Sequence, residues 1–131
     1  MHLRNIVNKY ITHDARQLGA LLPPDVECID VTVTSPPYWN IKDYGNKQQI
    51  GFGQSYKEYL SDIDRVFRAV YTATKPSGSL WIIADTFKQE GEIRLLPFDI
   101  ANRIRRTGWL LQDIIIWQKD RTLRCLPSIE R

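Results

Sequence analysis

Apolar positions along the chain follow two alternating rhythms. Short β-branched and apolar runs read as buried strands at residues 6–12 (IVNKYIT), 26–33 (VECIDVTV), 79–84 (SLWIIA) and 109–117 (WLLQDIIIW). Segments of helical character lie between them. Residues 15–22 have helical composition and stop at Pro23-Pro24. The clearest helix opens at Ser55, which can form a capping box with Glu58. Tyr59, Leu60, Ile63, Val66, Phe67 and Val70 then share one face, and Lys75-Pro76-Ser77-Gly78 ends the run. Tyr56, Tyr59 and Phe67 read as core residues of this helix. Pro97 suits the first turn of a further helix carrying Phe98, Ile100, Ala101 and Ile104, with Gly108 as its C-terminal cap. Residues 88–94 are polar and read as a loop, and 118–131 show no period.

Strands that alternate with helices predict an α/β fold with a largely parallel sheet, built as one domain over residues 1–131. The composition, 43% hydrophobic and 25% charged, provides for a core and excludes global disorder. No apolar run reaches the ~20 residues of a membrane span, and no signal peptide is legible at the start, so the expected location is cytoplasmic. Two cysteines far apart, Cys28 and Cys125, and two histidines make no metal-ligand spacing, so no metal is expected. Cys28 reads as a small core residue. A net charge of +3 is a weak pointer to nucleic acid, concentrated in Arg103, Arg105 and Arg106 and in the C-terminal tail.

The chemistry concentrates where the strand at 26–33 runs into Thr34-Ser35-Pro36-Pro37-Tyr38-Trp39. Proline forces the preceding residue out of helical space and has no N–H, so this strand ends in a stiff, extended corner. In open α/β sheets ligands bind at that carboxyl end. The corner offers mainly acceptors, namely the Ser35 hydroxyl and the carbonyls of Ser35 and Pro36, beside two aromatic faces. Such a set suits an exocyclic –NH2 group. Two hydrogen bonds accepted from one amine draw its nitrogen out of planarity and free its lone pair for attack on an activated methyl group. Tyr38 supplies a face on which a flat base can stack. Residues 40–54 (NIKDYGNKQQIGFGQ) form a long irregular stretch, expected to act as a mobile lid; its Gly-Phe-Gly triplet lacks the preceding strand of a phosphate-binding loop.

With its surroundings, TSPPYW resembles motif IV of the amino-directed DNA methyltransferases, most nearly the permuted β group that methylates cytosine N4. Lys42-Asp43-Tyr44-Gly45, Gln49-Ile50-Gly51, Glu58-Tyr59, Val66-Phe67, Gly78-Ser79-Leu80-Trp81 with Asp85, and Gly108-Trp109 through Lys119 resemble later segments of that group in order and spacing. The resemblance implies a Rossmann-like, S-adenosylmethionine-dependent fold acting on double-stranded DNA, with the target nucleotide flipped into the pocket. Such enzymes accompany restriction–modification systems. It implies Ser35, Pro36, Pro37 and Tyr38 as the catalytic corner, with Tyr38, Trp39 and Asp85 as target-base pocket residues and Asp14 and Thr34 as cofactor-binding residues. Trp39 could equally belong to the core, and Asp85 could equally be a strand-end residue. Serine at 35 points to cytosine N4; adenine N6 is the alternative, and a non-catalytic nucleic-acid-binding remnant or partner subunit is a third reading.

The family's Gly-rich donor segment, Phe-x-Gly-x-Gly, does not occur among these residues. The expectation is therefore an N-terminal piece of a larger methyltransferase, an incomplete fold lacking the cofactor half. A missing C-terminal half or a complementary subunit would be its partner. The isolated chain is expected to be inactive, of low stability, and to bind S-adenosylmethionine poorly or not at all.

Overall fold

The computed structural model describes residues 5–23 and 25–118. Helix α2 (Tyr56–Ala73) is the spine of the fold. It starts as the sequence dictates: the Ser55 hydroxyl accepts from the Glu58 backbone N–H, and the Glu58 carboxylate accepts from the Ser55 N–H at 2.8 Å. Tyr59, Ile63, Phe67 and Val70 recur on one face of α2 and are buried. They pack against Leu96, Ile100 and Ile104 of helix α3 (Leu96–Arg105), which holds Pro97 in its first turn. Leu80, Ile82, Tyr38, Trp39 and Trp109 flank this cluster, half-buried.

Strands β1 (Ile29–Thr34) and β2 (Thr74–Ile82) pair in parallel. The register runs Val31↔Ser79, Thr32↔Leu80, Val33↔Trp81 and Thr34↔Ile82, with a shift between Ile29 and Val31. That irregularity tolerates Pro76 inside the strand, because no ladder N–H is needed there. Gly78 is required at the same place. A Cβ on it would lie 3.0 Å from the carbonyl oxygens of Ile29 and Asp30. Strands β3 (Phe87–Gln89) and β4 (Glu92–Arg94) form a separate antiparallel hairpin. A 3-10 turn (Ala15–Gln17) and the short helix α1 (Leu18–Leu21) pack on α2.

The α/β class holds, and several expected elements differ. Residues 6–12 form no strand; they have no sheet neighbour among the described residues, and Tyr10 is 96% exposed. Residues 15–22 are only partly α-helical. The first strand of the sheet begins at Ile29 rather than Val26. Lys75 to Gly78 do not turn the chain but already belong to β2. Residues 88–94, read as a loop, contain the β3–β4 hairpin. Its turn at Glu90 and Gly91 has φ of 52° and 81°, the left-handed pair of a tight hairpin turn. Residues 110–117 enter no ladder among the described residues and are exposed. Cys28 is half-buried rather than core. Cys125 and most of the basic tail lie outside the described residues. No helix among the described residues is long and apolar enough to cross a membrane.

Candidate functional site

Parallel pairing places the ends of β1 and β2 at one edge, where the Ile83 N–H donates to the Thr34 carbonyl at 2.9 Å. β1 then becomes the proline corner. Pro36 is buried, Pro37, Tyr38 and Trp39 are half-buried, and Ser35 is exposed. The Pro37 carbonyl accepts from the Tyr59 hydroxyl at 2.7 Å. Tyr59 is fully buried, and burial raises its hydroxyl pKa, so at neutral pH it remains a proton-bearing donor. This residue rivets the corner to α2. Helical periodicity identifies it only as core; the signal that it does more is the phenol itself, because a buried tyrosine O–H needs a partner. The Thr34 and Pro37 carbonyls are thus engaged. The Ser35 hydroxyl and the carbonyls of Ser35 and Pro36 enter none of the corner's hydrogen bonds among the described residues.

Trp39 carries φ of 38°, left-handed backbone that a bulky side chain adopts at a cost of about 1–3 kcal/mol. Its surroundings offset that cost. The indole N–H donates to the Gln54 carbonyl at 2.8 Å, and the ring lies 4.9 Å from Tyr56 and 6.4 Å from Phe87, centroid to centroid. The Arg94 guanidinium sits 5.9 Å from the Trp39 ring and 5.8 Å from that of Tyr56. Each such contact is worth about 0.5–1.5 kcal/mol. Gly51 is needed here too: at φ 107°, a Cβ on it would lie 2.5 Å from the Trp39 carbonyl oxygen. Trp39 therefore both faces the cleft and wedges the corner against α2 and the hairpin. Burial, then a 2.6 Å hydrogen bond to Asp99, raise the Tyr56 hydroxyl pKa and keep it protonated as well.

Ser35, Pro36, Pro37, Tyr38 and Trp39 line a cleft of about 240 Å³ together with Ile41, Lys42 and Tyr44. This falls below the ~300–1,000 Å³ usual for drug-sized ligands and suits one planar ring. A larger groove of about 400 Å³ between α1 and α2 contains none of the corner's residues. The stretch expected to be a lid is fastened at several points. Gln54 accepts from the Gly51 N–H at 2.7 Å and donates to Asp62 at 2.8 Å, and the Gly53 N–H donates to Asn40 at 2.9 Å.

The remaining predicted residues stand outside the cleft lining. Asp85 is exposed, three positions past the last residue of β2 and at the same sheet edge. Asp14 caps the 3-10 turn and holds Arg16 with both oxygens. The Arg16 hydrogen bonds lower the Asp14 carboxyl pKa, and the same guanidinium reaches Asp62 at 3.2 Å and the Gln48 carbonyl at 2.6 Å. Asp14 is committed to this network, and Thr34 is a ladder residue. The described residues place neither of these two side chains in the cleft lining. They also contain no cluster of His, Cys, Asp or Glu able to hold a metal ion.

Comparison with known proteins converges on one chemistry. A family model described as DNA methylase, of the N6/N4 type, matches residues 29–130. The Type II methyltransferase M.SmaI of Serratia marcescens is 31% identical over 152 aligned positions, covering 94% of this chain and 50% of that protein. M.MwoI of Methanothermobacter wolfeii is 40% identical over 95 positions, 70% of this chain and 14% of its own. Among solved structures, a candidate DNA modification methylase from Thermus thermophilus superposes with a TM-score of 0.57 at 32% identity, over 73% of this chain and 38% of that one. The same protein has been solved in complex with S-adenosyl-L-methionine, with a TM-score of 0.54. This chain spans half or less of the length of each of these relatives.

Proposed function

This chain belongs to the N6/N4 DNA methylase family, and on that premise we propose that it holds the target base in transfer of a methyl group to an exocyclic amine of double-stranded DNA, cytosine N4 in particular. Its α/β arrangement is part of the methyltransferase fold. One observation carries the reading: unengaged acceptors on Ser35 and Pro36 lie beside Tyr38 in a cleft the size of one base. A flipped base stacks on Tyr38, and its amine donates one hydrogen to the Ser35 hydroxyl oxygen and the other to the Pro36 carbonyl. The nitrogen moves toward tetrahedral geometry, and its lone pair becomes available to form the new N–C bond; a sulfonium donor's S–CH3 bond would break with its electron pair staying on sulfur as a neutral thioether, and the surplus proton on nitrogen then leaves to water. No strong base is needed, and none lines the cleft. Tyr59 and Trp39 fix the corner so that the acceptors do not relax away from the amine.

S-adenosylmethionine, the ligand of the Thermus relative, is the proposed source of the methyl group. Its binding half would come from further sequence or from a complementary subunit, acting on DNA in the cytoplasm. Serine rather than aspartate at position 35 favours cytosine N4 over adenine N6. The second reading, a base-binding partner without catalysis, draws on the commitment of Asp14 to Arg16. The test is nucleoside mass spectrometry of duplex DNA incubated with S-adenosylmethionine and the full-length protein. N4-methylcytosine is expected, with Ser35→Ala reducing turnover by about 10²-fold or more, the scale of losing one positioned polar group. N6-methyladenine would reassign the target, and an unchanged Ser35→Ala rate would remove Ser35 from the mechanism.

A further inference from the structure

The lining of the cleft carries one positive charge, Lys42, which the base-binding reading does not use. Lys42 is extended (φ −133°, ψ 127°), and its side chain and that of Tyr44, two residues on, both line the cleft. The ammonium lies 5.1 Å from the centre of the Tyr44 ring. No carboxylate forms an ion pair with it among the described residues, although Asp43 is its sequence neighbour. Tyr44 is 60% exposed at the rim. The segment is held in register by one side chain: Gln49 donates to the Lys42 carbonyl at 2.8 Å and accepts from the Tyr44 N–H at 2.7 Å. The Gly45 N–H closes the turn onto Asp43 at 2.7 Å, which aims the acidic group at the backbone and away from Lys42. The result is a cation propped on an aromatic ring, in the lining of the same cleft as the acceptor corner.

A cation in this position does not match the base amine, which is itself a donor. It matches the phosphate that must accompany an extruded nucleotide. We propose that Lys42 binds the backbone phosphate flanking the flipped nucleotide, that Tyr44 props it there, and that Gln49 is the positioning residue that sets both. This rests on the base-binding reading above and adds a sequence-independent contact to it. Phosphate contacts place a nucleotide without reading its identity. The corner therefore supplies base recognition and the rim supplies register.

The two parts separate experimentally. Fluorescence anisotropy would follow binding of the chain to two labelled duplexes across a salt series, one with an extrahelical cytosine and one with an extrahelical abasic residue. Lys42→Gln should weaken binding to both by the same factor and reduce the slope of log K against log salt by about one. Lys42→Arg should restore the slope. Gln49→Ala should lower the slope with no change in thermal midpoint, which a merely structural role would not do. Ser35→Ala should weaken only the cytosine duplex. If Lys42→Gln keeps the wild-type slope and affinity while Ser35→Ala still acts on the cytosine duplex, the phosphate contact is overturned and the base-binding reading stands. If the wild-type chain binds neither duplex, both fall.

Discussion

The two faces of the β1–β2 pair both carry apolar side chains and have opposite fates. On one face Leu80 and Ile82 pack toward the cluster of Tyr59, Ile63, Phe67 and Val70 with Leu96, Ile100 and Ile104. On the other, Val31, Val33, Trp81 and Ile83 are each more than half exposed, as are Leu110, Ile114, Ile115, Ile116 and Trp117 of the segment after α3. Parallel strands are ordinarily apolar on both sides because both sides are covered. The difference teaches which interactions this chain supplies for itself. It supplies everything that holds the corner: the Tyr59 rivet, the Trp39 wedge and the Arg94 stack all belong to the covered side. The proline corner is therefore built where the chain is self-sufficient.

The contrast can be broken by mutation, beginning with the covered side. Phe67→Ala should cost about 3–5 kcal/mol in urea unfolding, the usual range for a buried aromatic, and should leave little folded protein. A loss under 1 kcal/mol would mean that α2 does not carry the core. Tyr59→Phe comes next. It leaves the Pro37 carbonyl without its donor, at about 1–3 kcal/mol, and should weaken discrimination at the corner more than overall fold. A variant as stable and as selective as wild type would show that the rivet is idle.

Asp14 gives a smaller, pH-dependent effect. Its folded pKa is held below the ordinary 3.8 by Arg16, so its contribution is complete well above that value and is lost as pH falls through the folded pKa. The thermal-midpoint difference between wild type and Asp14→Asn should be constant near neutrality and shrink in acid. A difference that grew in acid would contradict the pairing. The smallest effect is expected on the bare side. Val33→Lys should change stability by no more than about 0.5 kcal/mol, as for an exposed position. A cost above 2 kcal/mol would show that this face is covered in solution.

What the sequence made legible follows the same division. Helix α2 could be read because its signals are local: the Ser55–Glu58 box and the spacing of Tyr59, Ile63, Phe67 and Val70. The corner could be read because two prolines dictate their own backbone. Strands depend on neighbours, so the runs at 6–12 and 109–117 look like strands by composition yet form no ladder among the described residues. The β3–β4 hairpin was hidden by its polarity, and only the Glu90-Gly91 turn gave a local clue. The contacts that stiffen the site, Tyr59 to Pro37 and Trp39 to Gln54 and Arg94, join residues distant in sequence and leave no periodic trace. The same is true of Gln49 holding Lys42 and Tyr44.

The central proposal is that the Ser35–Pro36 acceptors recognise an exocyclic amine. The most direct measurement compares the affinity of the chain for two duplexes identical except for one extrahelical base, cytosine in one and uracil in the other, where a carbonyl replaces the amine. Tighter binding to cytosine, with the preference abolished by Ser35→Ala, is the predicted result. Equal affinity of the wild-type chain for both duplexes would contradict it.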